Sequence, residues 1–424
     1  MIGAFGRGIE AAAGKIFMLR CRSFLQMMAA MDERTKVDCV ANAQALAPVI
    51  AAAAPRTEAR GELPPDLVAA LHEARLYRML VPRSLGGEEI APVEFVQAVE
   101  TIAKADASTA WCIAQTSVCS TISSCLQASI AEEIFLKNPR GVLAWGPYGR
   151  NGRAVADKGG FRVSGEWPFA SGSRQATWLA AHCPVFEANG ERCRDAKGDP
   201  LDMTFVFPRE RATIKSDVWH VIGLKGTGSD TYALNDLFVP EERSITALAR
   251  SPAERRERGP LYAFTVYQLF GASFAAVALG IARSTLDAFV ALAQAKTPTG
   301  GTSPLRDSAV IQSQVGVAEA QLAAARVFFL RALEEIWQAA CSGAIAIDHR
   351  VQLRMASIHA SQQARQVTDA AYHAAGATAI FESNPFERRF RDMHAVSQQV
   401  QSHFSVYEAI GRHFLGLPLN SRLI

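Results

Sequence analysis

The chain has 424 residues, 49% of them apolar and 20% charged, an ordinary globular balance with length for two or three structural domains. Its formal net charge of +3 lies wholly in the first thirty residues, where Arg7, Lys15, Arg20 and Arg22 outweigh Glu10, so the remainder offers no basic face for nucleic acid or an anionic membrane. No uninterrupted apolar run spans a bilayer, and the eight cysteines form neither a CxxC pair nor a Cys/His cluster with zinc spacing, which points to reduced thiols in a cytoplasm and to no metal.

The opening segment, residues 1–30, is amphipathic and basic but lacks the continuous apolar stretch and small-residue cleavage site of a secretory signal. It is read as a poorly ordered extension, or as the product of a start codon upstream of Met28 or Met31. Residues 31–140 carry helical patterning. Pro64-Pro65-Asp66 opens a run with Leu67, Leu71 and Ala74 at helical spacing, and Phe95, Val99 and Ile102 resume it after Gly86-Gly87. Ala-rich stretches near 40–54 and 107–135 fit buried or half-buried helices.

The character changes over 141–258. Short stretches rich in β-branched and aromatic residues alternate with Gly, Pro, Asn and Asp turns, and Phe161–Trp167, Thr177–His182, Met203–Phe207 and Asp230–Leu234 read as strands. From 259 to 424 long apolar periodic runs return over 262–297, 306–342, 349–379 and 388–415, the first two parted by TPTGGTSP at 297–304. Long antiparallel helices with short loops make a bundle. The fold class is therefore α+β: an N-terminal helical domain, a central β-domain and a C-terminal four-helix bundle. No GxGxxG follows a strand, so a dinucleotide site of the βαβ kind is not indicated.

Chemistry centres on Trp167-Pro-Phe169-Ala-Ser171-Gly172-Ser173, where a strand ends at an aromatic and a turn of small residues follows. Gly172 permits a tight turn and close approach to a planar ligand, and the Ser171 and Ser173 hydroxyls can donate to ring nitrogens or oxygens. An ordinary β-turn over a core aromatic is the bland alternative. Trp111 and Trp145 can each supply an apolar wall with one polar handle, or plain core packing. The glycine-rich stretch 223–230 lacks GK[ST] and lies between strands, so it reads as structural turn geometry.

Taken in order, VPRSLGGEE (81–89), ADASTAW (105–111), VSGEWPFASGS (163–173), GLKGTGSDTYALNDLFVP (223–240) and NPFERRFRDMHAVSQQ (384–399) resemble the acyl-CoA dehydrogenase superfamily, closest to its flavin-dependent monooxygenases. The resemblance covers about residues 35–420. It implies the acyl-CoA dehydrogenase-like fold, a homotetramer, and a flavin, FAD or FMN, used in its reduced form with molecular oxygen as co-substrate and supplied by a separate reductase. It places Phe169, Ser171, Gly172 and Ser173 against the flavin ring near its N5 edge, with Trp111 and Trp145 around it. Arg306, Gln312 and Gln314 would reach the pyrophosphate and adenosine half across a subunit boundary, with Gly376 a further cofactor contact.

The C-terminal stretch departs from the pattern. Acyl-CoA dehydrogenases follow an arginine-aspartate pair with a turn whose glutamate abstracts the substrate proton. Here Arg391-Asp392 is present, the turn is not, and Val400 stands eight residues on. No acid in the helix around 265–285 replaces that base, which disfavours simple dehydrogenation of a thioester. The monooxygenase branch carries a Gln-His pair where this chain reads Gln398-Gln399, and glutamine hydrogen-bonds but cannot titrate. Ser171 and Gln399 are thus catalytic candidates, with His394 and His403 as substitutes for the missing histidine. The expected function is a two-component flavin monooxygenase acting on a small, aromatic or otherwise electron-rich substrate. A flavin dehydrogenase or oxidase on another substrate, and a flavin-binding scaffold without catalysis, are the rivals.

Overall fold

The computed structural model describes residues 37–246, 255–419 and 424. The expected extension at 1–30 lies outside the described residues. The body from Cys39 onward is one compact unit.

Five helices come first: α1 (Cys39–Arg60), α2 (Pro65–Glu73), α3 (Pro92–Ala105), α4 (Ala107–Ser120) and the single turn α5 (Ala128–Ala131). Pro65 and Pro92 sit in the first turns of α2 and α3, where a missing N–H costs nothing. Asp106 caps α4, its carboxylate accepting from the Thr109 N–H at 2.8 Å and the Thr109 hydroxyl at 2.7 Å. The reading of 107–135 as helix holds only in part, because α4 ends at Ser120 and short irregular turns follow.

Eight strands form a mixed sheet: β1 (Leu143–Ala144), β2 (Arg150–Asp157), β3 (Gly160–Trp167), β4 (Trp178–Phe186), β5 (Asp202–Pro208), β6 (Thr213–Lys215), β7 (Thr231–Pro240) and β8 (Ser244–Thr246). Their order is β6-β7-β3-β2-β4-β5-β8, with β1 running parallel to β4. Its core is aromatic. Trp167 is fully buried, stacks on Tyr232 with centroids 5.5 Å apart, and donates Nε1 to the His182 carbonyl at 3.1 Å. The indole rests on a shelf of glycines: a Cβ on Gly149 would come within 2.6 Å of its Nε1, and one on Gly152 within 3.2 Å of the ring.

Five helices complete the chain: α6 (Val266–Ala295), α7 (Ala309–Cys341), α8 (Ile347–Ala375), α9 (Phe386–Val396) and α10 (Val406–Phe414). The run at 388–415 is thus two helices, separated where Gln399 caps a short 3₁₀ turn, Val400–Ser402. Helix α6 opens with a capping box between Thr265 and Gln268. It is long and apolar enough by composition to cross a bilayer, with mean hydropathy 1.6 over an 18-residue window, yet 67% of that window is buried inside the protein. Its role is that of a core helix, packed by α3 and α4 on one side and by α8 and α9 on the other.

Close packing is strictest at Gly280, where a Cβ would stand 2.6 Å from both the Ala103 Cβ and the Glu100 carbonyl oxygen of α3. A valine there must push two buried helices apart. Gly280→Val is expected to destabilise the fold by about 1–3 kcal/mol, the usual cost of overpacking. Urea unfolding checks this, and an unchanged midpoint would refute the contact.

Candidate active site

The turn after β3 lies between the sheet and helices α4 and α6. Phe169 adopts φ +56° with its side chain 57% exposed, its ring edge-on to Trp219 at 6.0 Å between centroids. Gly172 has φ +79°, but the space its missing Cβ leaves is taken by the Thr116 methyl of α4, 2.5 Å away. The glycine therefore lets the turn dock on a helix.

Ser171 is buried, and its Oγ accepts from Trp111 Nε1 at 3.0 Å and meets Ser229 Oγ at 2.5 Å. Ser229 Oγ in turn meets Thr227 Oγ1 at 2.7 Å, and Thr227 donates to the Leu224 carbonyl at 2.8 Å. Ser173 is also buried, and its hydroxyl finds no partner among the described residues. The indole of Trp111 lies flat on Phe274, with centroids 3.9 Å apart and planes 8° from parallel, and Phe274 stacks on Phe270 one helical turn away. Trp145 presents its ring edgewise to Phe270 and to His182, while its carbonyl accepts from Gln115 Nε2 at 3.2 Å. Trp111, Trp145, Phe270 and Phe274 form one aromatic wall beside the Ser171 hydroxyl. His182 bonds Thr204 through Nδ1 at 2.8 Å, and burial pushes its pKa down to about 3, so the ring is neutral.

An exposed aromatic on a strained backbone, a buried hydroxyl without a partner and an apolar aromatic wall suit a planar ring with polar edges. Beyond Trp219 a cleft of about 680 Å³ opens, bordered by Arg174, Arg60, Lys225 and Glu58. Arg174 is tied by a bidentate ion pair to the buried Asp230, at 2.7 and 3.0 Å.

Arg306 and Gln312 are exposed at the start of α7, where Gln312 Nε2 donates to the Arg306 carbonyl at 3.0 Å; Gln314 is exposed too. Gly376 (φ +61°) ends α8, and Lys296 ties the two regions together. Its ammonium donates to the Ala375 carbonyl at 3.0 Å and to Thr378 Oγ1 at 2.7 Å, while its carbonyl accepts from the Leu305 N–H. Arg306, Gln312 and Gly376 thus share one end of the bundle.

The C-terminal candidates stand on α9 and around the Val400–Ser402 turn. Gln399 turns its side chain back on Gln401, accepting from the Gln401 N–H at 2.7 Å. His394 Nε2 pairs with Asp369 at 2.9 Å, and His403 is exposed, its Nδ1 at 2.8 Å from Ser405 Oγ. His394 and His403 border a smaller cleft of about 200 Å³ with Gln362, Arg365 and Gln398.

Residues 24–129 match the family "acyl-CoA dehydrogenase, N-terminal domain", and residues 272–404 "acyl-CoA dehydrogenase, C-terminal domain". The chain belongs to the acyl-CoA dehydrogenase superfamily, and the first match begins upstream of Met31. Within that superfamily it falls in the branch of the flavin-dependent monooxygenases. It is 29% identical to indole-3-acetate monooxygenase of Pseudomonas putida over 83% of this chain and 87% of that one. It is 28% identical to the oxygenase component of the FADH(2)-dependent resorcinol hydroxylase of Rhizobium sp. over 90% and 95%. The solved structure of 3-HSA hydroxylase from Rhodococcus sp. RHA1 superposes with a TM-score of 0.83 at 25% identity, covering 93% of this chain and 100% of the other.

Sequence reasoning missed Phe270 and Phe274, whose i, i+4 spacing toward the two tryptophans was the available signal. It also took Thr227 and Ser229 for turn residues only. Asp392, quoted only as a motif residue, is buried and accepts from the Leu224 N–H at 2.6 Å, fastening α9 to the turn that carries both hydroxyls. Arg391 adds ion pairs to Glu58 at 2.8 Å and Glu387 at 2.7 Å.

Burial raises the Asp392 pKa from 3.8 to about 7; the Leu224 N–H and Arg388 oppose the rise, and Asp106 and Glu58 add to it. A folded-state value above the unfolded one means that the native state holds the proton between about pH 4 and pH 7. The stabilisation is full below the unfolded pKa and is lost as pH rises toward 7. Asp392→Asn keeps an acceptor for Leu224 and cannot titrate, so the wild type should lose stability relative to the variant across that window. Melting temperatures from pH 4 to pH 8 measure the difference, and parallel profiles would refute it.

Proposed function

We propose that this chain is the oxygenase of a two-component flavin monooxygenase acting on a small aromatic substrate, with reduced FMN or FAD delivered by a separate reductase. The observation that carries this reading is the buried Ser171–Trp111 pair beside an aromatic wall, in a chain whose relatives over most of its length are flavin-dependent oxygenases of aromatic compounds. The bound flavin supplies the activation of oxygen. The chain's own residues bind, orient and exclude water.

Phe169, Ser171, Gly172 and Ser173 hold the ring edge, and Trp111 and Trp145, with Phe270 and Phe274, keep the adjoining space apolar. Arg306 and Gln312, at the bundle end shared with Gly376 and Lys296, suit a pyrophosphate through the planar guanidinium fork. That end serves a neighbouring subunit in a homotetramer, a reading supported by Val310, Val317 and Val327 standing exposed along α7. His394 is oriented by a carboxylate, which suits proton exchange with substrate, while Gln399 and His403 shape the same C-terminal segment. A cytoplasmic location accords with the seven free cysteines among the described residues.

Anaerobic titration with reduced FMN and FAD, followed by oxygen uptake with a flavin reductase and a panel including indole-3-acetate and resorcinol, tests the proposal. Substrate-dependent oxygen uptake with a hydroxylated product is expected, and uptake that yields only hydrogen peroxide with every aromatic would overturn it. Ser171→Ala should weaken binding of reduced flavin by about 0.5–1.5 kcal/mol, the worth of one hydrogen bond. Wild-type affinity in that variant would remove Ser171 from the flavin site.

A further inference from the structure

Three hydroxyl groups and one carbonyl stand in line beneath the Trp111 indole: Ser171, Ser229, Thr227 and the Leu224 carbonyl. The oxygens are separated by 2.5, 2.7 and 2.8 Å in turn, each separation short enough to require a hydrogen between them. A carbonyl only accepts, so the third contact uses the Thr227 hydrogen. The second must then use the Ser229 hydrogen, and the first the Ser171 hydrogen. Indole Nε1 only donates, so Trp111 occupies one lone pair of Ser171. All three hydroxyl hydrogens are thereby committed, and all three side chains are buried, so water does not compete. Ser171 has one lone pair left and no hydrogen to give.

We infer that Ser229 and Thr227 are positioning residues that fix Ser171 as a hydrogen-bond acceptor, and that this directs the site toward reduced rather than oxidised flavin. The inference rests on the flavin reading above. Reduced flavin carries an N–H at N5, whereas oxidised flavin presents a bare lone pair there. A seryl oxygen with a single free lone pair accepts from the first and is repelled by the second. Asp392 and Trp219 hold the far end of the line, Asp392 through the Leu224 N–H and Trp219 Nε1 through the Leu224 carbonyl at 3.2 Å.

The test is a pair of dissociation constants, for oxidised and for anaerobically reduced FMN and FAD, measured on the full chain by fluorescence and absorbance without turnover. The wild type should favour the reduced form by roughly tenfold or more, the scale of one hydrogen bond gained against one refused. Ser229→Ala frees the Ser171 hydrogen to donate to oxidised N5, so oxidised flavin should bind more tightly, by roughly three- to tenfold. Reduced flavin should change little. Thr227→Val removes the acceptor of the Ser229 hydrogen and should narrow the preference in the same direction, while Thr227→Ser keeps the hydroxyl and should preserve the preference. An equal loss of affinity for both forms in Ser229→Ala would mark these residues as mere scaffolding and overturn the inference. So would an unchanged ratio in Ser229→Ala and Thr227→Val. Absence of binding of either form to the wild type would overturn the flavin reading itself, and this inference with it.

Discussion

Helix α6 is apolar almost all the way round, and such a helix is stable in water only when neighbours cover every face. That requirement draws helices from both ends of the chain onto it: α3 at the Gly280 contact, α4 through the Trp111–Phe274 stack, and α8 and α9 behind. The sheet lies between these helices in sequence, and its turns at Gly172 and Lys225–Thr227 pack on α4, which rests on α6. The buried Ser171 hydroxyl owes its position to that arrangement, because Trp111 is fixed by its stack on α6 before it can donate to Ser171.

The resulting environment is polar only where the backbone or a donor of fixed type can satisfy each group. Ser171, Ser229 and Thr227 end on a carbonyl, and Gln115 on another. His182 is kept neutral by burial, so no charge stands in the aromatic wall. A dry region of this kind strengthens every remaining hydrogen bond, which is what a site that must keep water from a reactive group requires.

Much of the architecture was legible because its signals are local. Alternation marked Phe161–Trp167, β-branched and aromatic content marked Met203–Phe207, and proline in a first turn marked α2. The break inside 388–415 was not legible, since the apolar spacing runs on while a side chain, Gln399, caps a new turn. The site divided in the same way. Ser171 and the two tryptophans carried a recognisable pattern, but Ser171 meets Ser229 across 58 positions and Asp392 meets Leu224 across 168, distances at which spacing is silent. That the segments carrying Arg306 and Gly376 share one end of the bundle depends on Lys296, a residue ordinary in every local respect. The family resemblance put Gln399 among the catalytic candidates, and its side-chain carbonyl accepts from its own turn.

The shelf under Trp167 ties four positions into one evolutionary unit. Gly149 and Gly152 have no room for a side chain while the indole is present, and Gly165, at φ +145°, would bring a Cβ within 2.6 Å of the Gly152 Cα. A drift to a smaller aromatic at 167 would open a void that a lone methyl on one glycine could not fill without straining the others. Related chains should therefore keep the tryptophan and its glycines together or exchange them together, and an intermediate with only one of them changed would pass through a less stable protein.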